Sequence, residues 1–170
     1  MVVVSISPGK DCASCMLEKI SELERKAKIK IPLFEKILLA ETGIVEQTLS
    51  ILINSKTEVR ILKQKERDLS IEREATVNNK TTGEKLMYAR SIIFTNSLPY
   101  EIINQIKSKD RSIGYIITDF KLETFRRIVE IGHNSKKGFF FRTYHIRHNQ
   151  ELAFEISENF IIKGNVILTY

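Results

Sequence analysis

The chain has 170 residues, 42% hydrophobic and 28% charged, with 3 Pro and 7 Gly, a composition that supports one domain with a substantial core and excludes extended disorder. Its 27 Lys and Arg exceed its 21 Asp and Glu to give a net charge of +6. The two signs are interspersed, as in Glu58-Val59-Arg60-Ile61-Leu62-Lys63-Gln64-Lys65-Glu66-Arg67-Asp68, so no phosphate-binding stripe forms and nucleic acid is not an expected partner.

The opening Met1-Val2-Val3-Val4-Ser5-Ile6 is apolar but lacks the basic start and length of a signal peptide, and no later run is long enough to span a bilayer. The expectation is therefore a cytoplasmic protein with no membrane partner. Both cysteines lie in Cys12-Ala13-Ser14-Cys15. That spacing fits half a zinc site, a redox pair or two local thiols at a helix start, and the chain supplies no second pair to complete a metal site. His133, His145 and His148 are remote in sequence and have no familiar ligand spacing, so neither a metal nor a cofactor is expected.

Met16, Ile20 and Leu23 recur at helical spacing amid Glu and Lys, Leu33, Ile37 and Leu38 continue after Pro32, and Val45, Thr48, Leu49 and Leu52 follow the break at Thr42-Gly43. The first third thus reads as a helical layer. Beyond Asn54-Ser55-Lys56 the period changes to two. Val59 and Ile61 mark one strand, Leu69 to Val77 a second and Leu86 to Phe94 a third, with the turn-rich Asn78-Asn79-Lys80-Thr81-Thr82-Gly83 joining the last two as a hairpin. Ser97-Leu98-Pro99 opens a helix bearing Ile102, Ile103 and Ile106, a short helix is expected from Ile113 to Asp119, and three strands close the chain over 123–131, 139–147 and 152–161. The order predicts an α+β fold, a single domain whose antiparallel sheet carries a helical N-terminal layer and a helical insertion. Residues 1–32 read as an N-terminal helical extension and 33–170 as the main domain.

Alternation places Leu69, Ile71, Arg73, Ala75 and Val77 on one strand face, and Leu152, Phe154, Ile156, Glu158 and Phe160 on another. Each apolar face holds one charge. A buried charge needs a partner or a ligand, so Arg73 and Glu158 form either a structural salt bridge or two ends of a small-molecule site. Arg90 shares an apparent face with Leu86, Tyr88, Ile92 and Phe94. It is either a second carboxylate-binding residue or an arginine at the sheet surface.

Several segments occur in the order seen in chorismate lyases and their archaeal relatives: Leu38-Leu39-Ala40-Glu41-Thr42-Gly43-Ile44-Val45, Ser70-Ile71-Glu72-Arg73-Glu74, Tyr88-Ala89-Arg90-Ser91-Ile92-Ile93, Ser112-Ile113-Gly114-Tyr115-Ile116, Phe125-Arg126-Arg127-Ile128-Val129-Glu130-Ile131-Gly132 and Glu158-Asn159-Phe160. From residue 33 to 162 the chain resembles that family. The resemblance implies a cofactor-free enzyme that eliminates pyruvate from chorismate to leave 4-hydroxybenzoate. It implies that Arg73 and Glu158 are the catalytic pair, with Arg73 gripping the ring carboxylate and Glu158 near the para oxygen. Arg90 is then a candidate for the enolpyruvyl carboxylate, and Ile44, Ile113 and Gly114 close flaps over the ligand.

The strand ahead of Glu158 reads Asn149-Gln150-Glu151-Leu152 instead of the family's glycine-led turn, so a bulge is expected; without one, Glu155 takes the position. Arg142 and Tyr144 read as sheet residues. The same fold serves ligand-binding domains of bacterial transcription regulators that carry a winged helix ahead of it. Residues 1–32 are too few for that, which leaves a stand-alone sensor of aromatic or carboxylic acids as the competing expectation.

Overall fold

The computed structural model describes residues 1–7 and 13–161. Within them the order is β1 (Val2–Ser5), α1 (Ala13–Ala27), α2 (Leu33–Ala40), α3 (Val45–Leu52), β2 (Thr57–Glu66), β3 (Ser70–Asn79), β4 (Lys85–Phe94), a 3-10 turn (Thr95–Ser97), α4 (Tyr100–Ser108), α5 (Ile113–Asp119), β5 (Phe125–Asn134), β6 (Phe139–His148) and β7 (Glu151–Phe160). The seven strands form one antiparallel sheet in the order β1-β5-β6-β7-β4-β3-β2. The α+β class expected from the pattern is the one observed.

Hairpins account for β2-β3-β4 and for β5-β6-β7. The step that organises the molecule is non-local, because β7 returns to pair with β4 and so joins the two halves. β7 runs between β4 and β6 near the middle of the sheet. Its inner residues Phe154, Ile156, Glu158 and Phe160 are therefore covered by neighbours on both sides.

One sheet face is covered and the other solvated, which is the arrangement alternation requires of an antiparallel sheet. Ile71, Arg73 and Val77 of β3 point inward with Met87 and Ile93 of β4 and Ile128 and Ile131 of β5. The outward residues are polar pairs: Thr143 and Ser157 hydroxyls 3.0 Å apart, and His145 3.4 Å from Glu155. Leu23 of α1, Leu38 and Leu39 of α2, Leu49 of α3, Ile106 of α4 and Ile116 of α5 complete the core. No helix among the described residues is long and apolar enough to cross a membrane.

The N-terminal segment begins with a strand, which the reading of 1–32 as a helical extension did not contain. β1 pairs with β5, Ile6 donates to the Val129 carbonyl at 2.9 Å, and Met16, Ile20 and Leu23 of α1 join the common core. Four residues are too few to show a period of two, so pairing with β5 decides the conformation. Cys15 is half-buried in the first turn of α1, and Cys12 lies outside the described residues.

Gly132 of β5 is needed where β1 and β6 crowd it. A Cβ there would meet the Phe141 ring and lie 2.7 Å from the Val2 carbonyl oxygen. Gly132→Ala should therefore lower stability by about 1–3 kcal/mol, the range typical of overpacking. Urea denaturation would show a lower midpoint with an unchanged slope.

Candidate functional site

Arg73 and Glu158 project from the same face of the sheet but from strands separated by β4. Register places Arg73 opposite Ser91 and Ile156 level with Ser91, two residues short of Glu158. Two strand spacings and two residue rises put their Cα atoms roughly 12 Å apart. They do not form an ion pair with each other. Both line one cavity between the sheet and the α3 and α5 ends, about 560 Å³ of unfilled space counting its opening to solvent.

Glu158 is 2% exposed, and each of its oxygens accepts one hydrogen bond. Its Oε2 accepts from Arg142 Nε at 2.7 Å, and its Oε1 accepts from the Tyr144 hydroxyl at 2.8 Å. Arg142 lies directly across from it on β6, and Tyr144 is two residues along on the same face. Arg142 also donates to the Glu41 carbonyl and, at 3.2 Å, to Glu41 Oε2. Burial works against the Arg142 charge, but Glu158, Tyr144 and Glu41 together hold its pKa above the ordinary value. Burial, reinforced by the Glu158 charge, pushes the Tyr144 phenol well above its usual range, so Tyr144 remains a donor.

Arg73 is equally buried, at 2% exposure, but is held differently. Nε donates to Gln64 Oε1 at 2.8 Å, Nη1 to the Arg111 carbonyl at 3.0 Å and Nη2 to the Ile106 carbonyl. Three of the five guanidinium N–H groups are used, which leaves two. Among the described residues no carboxylate lies within ion-pair distance. Desolvation without a compensating anion lowers its pKa to about 10, still fully cationic near neutrality.

The wall between these ends is apolar: Val59, Ile61, Ala75, Val77, Met87 and Ala89 along the sheet. Ile44, the residue ahead of α3, and Ile113 and Gly114, the first of α5, close it from above. A Cβ on Gly114 would lie 3.5 Å from Ile44 Cγ2, so the two helix starts meet there. α5 begins after Ser112, whose hydroxyl caps it by accepting from the Tyr115 amide at 3.4 Å.

Arg90 is not part of this cavity. Its side chain is 59% exposed on the opposite sheet face, 3.9 Å from Glu72, because the inward register of β4 is Met87, Ala89, Ser91 and Ile93. The even-numbered face looked equally apolar in sequence, and pairing with β7 decided between them. Glu155 points outward to His145, and the expected irregularity is present between β6 and β7 near Ile146 and Arg147. The bulge leaves Glu158 on the inner face.

The cavity also contains groups that the alternation did not single out. Arg126 of β5 lines it while donating to the Thr42 and Gly43 carbonyls, at 3.2 Å for the former. Glu46, in the first turn of α3, is 7% exposed and lines it too. Burial raises its pKa, and the Ser112 hydroxyl bonded to it only partly offsets that shift. Its sequence signal was a charge one step past the apolar stripe of a short helix, indistinguishable from a favourable acid at a helix start.

No protein-family model matches the sequence and no curated protein matches it. Among solved structures, PhnF from Mycobacterium smegmatis is similar over 94% of this chain and 88% of its own, at 8% identity and a TM-score of 0.50. The ligand-binding domain of a protein described as a GntR-family transcriptional regulator from Bordetella bronchiseptica aligns over 61% of this chain and 85% of its own, at 5% identity and TM-score 0.42. YydK from Bacillus subtilis subsp. subtilis str. 168, described as a transcriptional regulator, aligns over 85% and 92%, at 10% identity and TM-score 0.42. None of these likenesses extends beyond the fold.

Two stability predictions follow from the charges. Arg142→Met strands a buried carboxylate and should cost about 3–5 kcal/mol, whereas adding Glu158→Gln to it should restore a large part of that loss; urea denaturation of the single and double variants measures both. Glu46 has a folded pKa above its unfolded one. Folding therefore weakens as pH rises from the unfolded value through the raised one, and Glu46→Gln should flatten that part of the stability profile in pH-dependent melts.

Proposed function

We propose that this chain binds a small organic acid in the cavity, with the acid group held by Arg73. The observation that carries this reading is a buried guanidinium, locked in place by Gln64 and two backbone carbonyls, that keeps two N–H groups and no carboxylate partner among the described residues. A planar fork with two donors to spare matches a carboxylate in charge and in shape. The apolar wall suits a ring or short carbon skeleton, and Glu158, with both oxygens already accepting, offers a further acceptor position to a ligand hydroxyl. Ile44, Ile113 and Gly114 supply the cover that excludes water from these contacts.

The finer reading, elimination of pyruvate from chorismate to give 4-hydroxybenzoate, rests on the sequence resemblance. It assigns Arg73 and Glu158 as the catalytic pair and Arg90 to the second carboxylate. The exposed position of Arg90 removes that support, and the engagement of Glu158 by Arg142 and Tyr144 makes it an acceptor of hydrogen bonds instead of a proton donor. Binding or sensing of an acid is accordingly the conclusion favoured, with turnover as the outcome that would extend it.

Calorimetry with 4-hydroxybenzoate, its methyl ester and chorismate tests this. The acid should bind and the uncharged ester should bind roughly ten- to a hundredfold more weakly, the worth of a hydrogen bond to a charged group. Arg73→Gln should lose the same factor. Equal affinity for acid and ester would remove the role given to Arg73. Pyruvate accumulating with chorismate, at a rate abolished by Glu158→Gln, would establish the lyase reading.

A further inference from the structure

Four charged side chains line the cavity, and they divide into two kinds. Glu158 is neutralised by Arg142, and Arg126 is held by backbone carbonyls at the rim. Arg73 and Glu46 differ from these because they are nearly fully buried, face the same cavity, and have no oppositely charged side chain within ion-pair distance among the described residues. They approach from opposite walls, Arg73 from β3 in the sheet and Glu46 from α3 above it. The Ser112 hydroxyl bonds the Glu46 carboxyl, and the Arg126 and Glu158 charges act on it from farther off with opposite signs. A buried cation and a buried acid without a direct ion-pair partner each carry a desolvation cost that a bound counter-charge offsets.

We propose that the ligand is a zwitterion, an amino-group-bearing acid whose carboxylate meets Arg73 and whose ammonium meets Glu46. This rests on the acid-binding reading and adds the second end. The ligand then completes two ion pairs that the protein leaves open, and an apolar segment spans the Val59–Val77–Met87 wall between them.

Two further observations favour an ammonium at Glu46. Space beside its carboxylate is kept by Gly114, where a Cβ would lie 3.7 Å from Glu46 Oε2. Beyond Glu46, Val59 and Ser112 is a second hollow lined by Asp110, Arg111 and Asp119. Arg111 is paired with Asp119 at 2.7 Å, so Asp110 leaves this approach net negative, which draws a cation towards Glu46. Burial raises the Glu46 pKa, and an ammonium alongside would act in the opposite sense by favouring the ionised form.

Charged and titratable groups that share walls with Glu46 are Arg73 of β3, Arg126 of β5, Tyr144 of β6 and Glu158 of β7 inside the cavity. On the outer side they are Asp110, Arg111, Tyr115 and Asp119. None is a histidine, and Glu46→Gln separates the share of Glu46 in any pH dependence from that of Glu158, Asp110 and Asp119.

Calorimetry with 4-(aminomethyl)benzoate and 4-methylbenzoate, which differ by one ammonium, provides the test. At pH 7.5 the zwitterion should bind at least tenfold more tightly, and Glu46→Gln should erase that preference. In the wild type the preference should shrink as pH is lowered towards 5, and paired titrations in phosphate and Tris should reveal proton release for the zwitterion alone. Equal affinities, or a preference that survives Glu46→Gln, would overturn the inference while leaving the acid-binding reading intact. Failure of both compounds and of 4-hydroxybenzoate to bind would reject that reading and the inference with it. Should Glu46→Gln not fold, the pH profile and the proton release of the wild type decide.

Discussion

Across the sheet centre Arg142 of β6 and Glu158 of β7 face one another with almost no exposure, and the arrangement of the cavity propagates from that pair. Its geometry depends on β7 threading between β4 and β6. The second edge of the Arg142 fork reaches Glu41, just after α2, through the carbonyl and carboxylate. Glu41 in turn accepts from the Gly43 amide, and Arg126 ties down the Thr42 and Gly43 carbonyls. This chain of bonds fixes where α3 begins, hence where Ile44 and Glu46 enter the cavity. A pair in the sheet interior thereby positions residues on the helical side.

A buried ion pair seldom adds stability over an apolar replacement of equal volume, but its loss on one side is severe. At this position, it supplies geometry. Two hydrogen bonds from different residues hold the Glu158 carboxylate in one orientation, and the Tyr144 phenol, unable to ionise at ordinary pH, keeps donating to it. Arg73 is fixed by the same logic with neutral partners. Backbone carbonyls of Ile106 and Arg111, at the end of α4 and ahead of α5, satisfy part of the guanidinium without cancelling its charge. The helical insertion between β4 and β5 thus orients a cation at the cavity, besides covering the sheet.

Much of this arrangement was legible in the chain. The period of two with one charge in each apolar face identified Arg73 and Glu158 as buried, and the short helix expected from Ile113 to Asp119 is the one observed. What alternation could not supply was strand order. The cross-strand partner of Glu158 became Arg142 because β7 inserts beside β6, a long-range pairing with no local signature. Arg90 failed for a related reason: β4 is apolar on both faces, so its period carries no orientation, and neighbouring strands chose Ala89 and Ser91 for the inside. Glu46 stayed hidden because an acid in the first turn of a helix is ordinarily a solvated, dipole-compensating residue. Only the meeting of α3 with α5 buries it.

That distribution of charge bears on binding versus chemistry. Proton transfer needs a group whose two protonation states are close in free energy under the working conditions. Arg142 is held cationic, Tyr144 is held neutral and Arg73 remains cationic near pH 7, so these three serve as fixed electrostatic features. Glu158 accepts at both oxygens. Of the two carboxyl groups lining the cavity, Glu46 is the one that makes no ion pair among the described residues and the one that burial moves towards the neutral form. The same property makes the Glu46 charge depend on what lies beside it: a neighbouring cation favours the ionised form, whereas an apolar group favours the neutral one. A cavity with one fixed cation and one carboxyl whose charge depends on its neighbours would, under the proposed reading, discriminate among acids by their far end.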